Sequence, residues 1–81
     1  MKDTLKIKNN RTKEDLKKMK SLLVSLECEL IDHAACIGYA EDSQNKVEVK
    51  KLTRSGNSLL MAKRHLKVVI ESLKKSIEIL E

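Results

Sequence analysis

Leucine returns at every seventh residue through the second half of the chain, at Leu52, Leu59, Leu66, Leu73 and Leu80. Ile70 and Ile77 take the companion position in the last two repeats. A repeat of seven keeps one seam of a helix turned toward another helix along its whole length. The first half carries Leu16, Met19, Leu23, Leu26, Leu30, Ala34 and Ile37 at helical spacing, with Leu22, Val24, Ile31 and Ala35 widening the stripe. Thr12 is the expected N-cap of this first helix. Glu14 and Asp15 then sit in its first turn, where carboxylates meet the positive end of the helix dipole. The helix is expected over about 12–40, ending near Gly38, and a polar turn over 41–46 offers Asp42 and Ser43 as caps for a second helix.

That second helix is expected over about 47–81. Against its continuity stand Arg54 to Ser58, poor helix formers that together cost about 2–3 kcal/mol relative to alanine. One long helix with a weak point at Gly56 is the favoured reading, and a break at 55–58 capped by Asn57 or Ser58 is the other. Residues 1–11 are polar and basic, and they read as a flexible arm in which only Leu5 and Ile7 are bulky and apolar apart from Met1.

The pattern predicts an all-α fold, an antiparallel helical hairpin of coiled-coil type. Its apolar stripes are wider than one hairpin requires, because Met61, Val68 and Ile79 lie beside the leucine row. A strict two-helix seam uses two positions in seven, whereas a helix in a larger bundle uses about three. The expected assembly is therefore a homodimer of hairpins forming a four-helix bundle. Its interface residues are expected to be Leu52, Leu59, Leu66, Ile70, Leu73, Ile77 and Leu80, with Leu23, Leu26 and Leu30 from the first helix.

Composition supports helices and little else. Of 81 residues none is proline, two are glycine and aromatics make up 1%, so a sheet and an aromatic core both lack material. Cys28 and Cys36 stand eight apart on one helix, about 12 Å along its axis, too far for a disulfide. Free thiols fit a reducing, cytoplasmic setting. The apolar stretch from Ser21 to Ala40 carries Glu27, Glu29, Asp32 and His33, which argues against a membrane span.

The net charge of +5 is unevenly spread. Residues 1–20 and 50–75 are basic and residues 21–49 acidic, so a hairpin is expected to gather the acidic block at its turn and the basic blocks at its open end. Lys13, Lys17, Lys20, Lys63, Arg64 and Lys67 form the expected basic surface, suited to an acidic protein or a phosphate backbone. Few arginines and no aromatic stacking platform argue against sequence-specific nucleic-acid recognition.

Cys28, His33, Cys36 and His65 match no zinc spacing, no glycine-rich phosphate loop is present, and no carboxylate pair suggests acid–base work. Neither a cofactor nor catalysis is expected. The sequence reads as a small interaction module: an adaptor, inhibitor or regulator of a larger protein, of the kind small bacterial and phage proteins provide. The alternative reading is a nucleic-acid-associated or architectural protein that uses the basic open end.

Overall fold

The computed structural model describes residues 2–81. It consists of two long helices, α1 (Lys2–Asp42) and α2 (Lys46–Leu80), folded back on each other as a hairpin measuring 64 × 14 × 13 Å. At about 1.5 Å per residue α1 runs near 62 Å and α2 near 52 Å, so α1 reaches past the end of α2. His33 and Gly56 face each other across the seam, a Cβ built on Gly56 lying 3.8 Å from the His33 ring. Stepping from that pair by heptads in opposite directions fixes the register. It sets Leu30 opposite Leu59, Leu23 opposite Leu66, Met19 opposite Ile70 and Leu16 opposite Leu73.

In heptad terms α1 places Asn9, Leu16, Leu23, Leu30 and Ile37 at a, and Thr12, Met19, Leu26, His33 and Ala40 at d. In α2, Val49, Gly56, Lys63, Ile70 and Ile77 are at a, and the five leucines are at d. All twenty are buried or half-buried, and no side chain of the hairpin is fully buried among the described residues.

Two linked expectations, the flexible arm and the Thr12 cap, are corrected. Residues 2–11, read as an arm, are the first turns of α1, and Met1 lies outside the described residues. Thr12 is therefore no N-cap: it is 7% exposed, and its hydroxyl donates to the Lys8 carbonyl one turn back at 3.1 Å. The cause is that the heptad continues upstream through Asn9 and Leu5 at the same seam positions, so the helix has a face to bury before the leucines begin. The oxygen Oδ1 of Asn9 is buried there without a hydrogen-bond partner. At Gly56 the favoured reading of one long helix agrees with the structure and the alternative break does not: α2 is continuous from Lys46 to Leu80, and the glycine lies against His33.

The turn is built by hydrogen bonds that the polar composition alone does not specify. Gln44 donates its backbone N–H to the Glu41 carbonyl at 3.0 Å and Asn45 to that of Ala40 at 2.9 Å, the paired bonds of a Schellman ending. This closure requires a left-handed residue, and Gln44 (φ 57°) takes that place. Asn45 then caps α2, its side-chain oxygen accepting from the Glu48 N–H at 3.2 Å. The cap is thus Asn45 and not the expected Asp42 or Ser43.

Candidate interaction surface

The ten apolar residues expected at an interface all stand at a or d, between the two helices of one chain. Leu66 and Ile70 are buried, at 8% and 6% exposed, and the other eight are half-buried. The seam thus closes the hairpin, and whatever is offered to a partner lies on the faces that flank it. Two cross-helix contacts mark those flanks. Lys13 and Glu81, both at e, form an ion pair of 3.2 Å on one side. On the other, Ser55 at g reaches the ring of His33 at 3.0 Å.

The side holding positions e and b carries the expected basic residues. Lys13, Lys17 and Lys20 of α1 share it with Arg64 and Lys67 of α2, while Lys63 emerges half-buried from the seam opposite Leu26. Val24 (62% exposed) and Ile31 (73%) stand on the same side of α1, nearer the turn. The side holding g and c is different in kind. Leu22 of α1 and Ala62 and Val69 of α2 lie there, with Met61 and Val68 along its outer edge, and all four larger apolar groups are exposed. Met61 and Val68 are visible in the sequence as extra width of the stripe. Only the hairpin register brings Leu22 beside Val69.

The register also changes the expected charge map. Lys50, Lys51 and Arg54 lie beside the turn and not at the open end, because they come directly after Asn45. The half of the hairpin nearer the turn, residues 23–66, holds six basic and six acidic groups and is neutral. The whole net charge of +5 resides in the open half. The negative pole anticipated at the turn is absent, and the positive pole remains.

His33 is the polar centre of the seam. Its Nδ1–H donates to the Glu29 carbonyl one turn earlier at 3.3 Å, since a carbonyl can only accept. In the neutral ring Nε2 is then an acceptor, and the Ser55 hydroxyl donates to it at 3.0 Å. Both ring nitrogens are satisfied within the hairpin. Cys28 is exposed and Cys36 half-buried, each a free thiol. Among the described residues no group of three or more His, Cys, Asp or Glu is placed to hold a metal ion, and no helix is long and apolar enough to cross a membrane.

Two open hollows flank the turn. One of about 620 Å³ is lined by Ala40, Glu41, Gln44, Lys46, Val47, Val49 and Lys50, and one of about 500 Å³ by residues including Cys36, Tyr39, Glu48 and Leu52. Comparison with protein-family models, curated proteins and solved structures gives no match.

Proposed function

We propose that this chain is a non-enzymatic protein–protein interaction module, a hairpin that completes its core by packing against further helices. The most economical arrangement is a homodimer forming a four-helix bundle, able in turn to engage a larger protein partner. One quantity carries the reading. The hairpin exposes 6633 Å², whereas a compact monomer of its 9.2 kDa exposes about 4,900 Å². The surplus of about 1,700 Å² is roughly twice the ~800 Å² that one partner contributes to a standard interface. A chain that leaves every paired seam leucine but Leu66 half-buried and twelve large apolar side chains exposed has surface to place against a partner. Light scattering on the purified protein is the test. A mass above that of one chain is expected, and a strictly single-chain mass at every concentration counts against the homodimer.

A second reading has its own support, because five of the six expected basic residues (Lys13, Lys17, Lys20, Arg64 and Lys67) fall on one side of the hairpin. That side suits a phosphate backbone read for charge and not for sequence. Binding to mixed duplex DNA at two salt concentrations checks it. Affinity should fall steeply as salt rises, and no binding at low ionic strength removes the reading.

A further inference from the structure

Charged residues make up 36% of the chain, yet the g and c positions of α2 from Ser55 to Ile79 carry none with a formal charge. The e and b positions over the same stretch carry Arg64, Lys67, Glu71, Lys74 and Glu78. Helix α2 is thus charged on one flank and uncharged on the other. Near mid-length the uncharged flank meets exposed Leu22 of α1 and forms an apolar face with Met61, Val68 and Val69.

We propose that this g/c face is where a second copy of the chain docks, antiparallel to the first, about a two-fold axis passing close to His65. The inference rests on the interaction-module reading and specifies its face and orientation. Three observations carry it. The first is area: the surplus surface exceeds what each partner of a standard interface buries.

The second is charge. The net +5 lies wholly in the open half, so a parallel dimer would set two positive halves side by side. An antiparallel dimer puts each against a neutral half and separates the two by more than the ~8 Å over which charges interact at physiological salt.

The third is fit. A two-fold axis at this level faces α2 with α2 and brings His65 against Val69 of the second copy, Ala62 against Ser72 and Ser58 against Ser76, so no charge enters these layers. The same operation faces α1 with α1, setting Leu22 against Ser25 of the second copy and Lys18 against Glu29. One like pair arises, Asp15 with Asp32, and Arg11 and Lys18 lie one helical turn to either side of Asp15 on the same helix face. Docking on the e/b side would instead bury Arg64 and Lys67.

The experiment is disulfide trapping in a background of Cys28→Ser and Cys36→Ser. Chains carrying Ser58→Cys and chains carrying Ser76→Cys are mixed and mildly oxidised. The antiparallel dimer predicts the mixed disulfide, since two copies of position 58 would stand about 27 Å apart along the axis at 1.5 Å per residue. Alongside, His65→Glu and Val69→Glu are expected to give a single-chain mass with helicity retained by circular dichroism. Ile31→Glu, on the opposite side and 73% exposed, should leave the dimer intact. Self-disulfides of each single-cysteine chain with no mixed product would overturn the orientation. A dimer that survives both g/c substitutions, or is lost with Ile31→Glu, overturns the face while leaving the module reading standing. A fully helical wild-type chain of single-chain mass overturns this inference and the homodimer together.

Discussion

Three residues show where the hairpin is working against local preference. Gln44 holds a left-handed conformation that the Schellman ending requires, and a residue with a Cβ is disfavoured there by about 1 kcal/mol relative to glycine. Gln44→Gly should therefore raise stability by about that amount, read as a melting midpoint several degrees higher. Gly56 is the reverse case. It sits inside a continuous helix, and a Cβ there would meet the His33 ring at 3.8 Å, an ordinary contact. Gly56→Ala should then recover about 0.8–1.0 kcal/mol of helix preference, and a loss of stability would mean that the His33 ring needs the room. Asn9 is the third. Its buried oxygen without a partner is a cost in the range of about 1–3 kcal/mol, carried at the end of the seam where Leu80 faces it.

At the scale of the element, the two helices were largely legible because leucine at a seven-residue period has few other readings. Leu52 to Leu80 and Leu16 to Ile37 place both seams without any structure. The first turns of α1 were not legible, for a physical reason. There the seam is held by Asn9 and Thr12, both 7% exposed, and a search for apolar periodicity passes over polar residues at seam positions. The start of α2 did carry a signal, since Asn45-Lys46-Val47-Glu48 has the spacing of a cap with an acid three residues on. The polar run around it hid the choice among caps. The flanking faces were legible only in part, because their composition is in the sequence but the register that sets Leu22 beside Val69 is not. One consequence concerns the overhang. Leu5 stands at a seam position with no counterpart in α2 and is 55% exposed. Deleting residues 2–8 should leave the thermal midpoint of the hairpin nearly unchanged, and a large drop would show that this stretch is covered by something beyond its own chain.

At the scale of the whole molecule, the hairpin is long, thin and thinly cored. Its buried apolar residues are Ala40, Leu66 and Ile70. Asn9, Thr12, His33, Gly56 and Lys63 interrupt a seam that would otherwise be continuous. Polar and small residues at such positions fix register at a cost in stability, so the register is well specified while the core is weak. In the proposed assembly, much of the folded state's stability therefore comes from helix packing between chains. Thermal unfolding monitored by circular dichroism across a wide range of protein concentration tests this most directly, because association stabilises by mass action. The proposed dimer predicts a midpoint that climbs steadily with concentration. An identical midpoint at every concentration, with a particle of single-chain mass throughout, would contradict it.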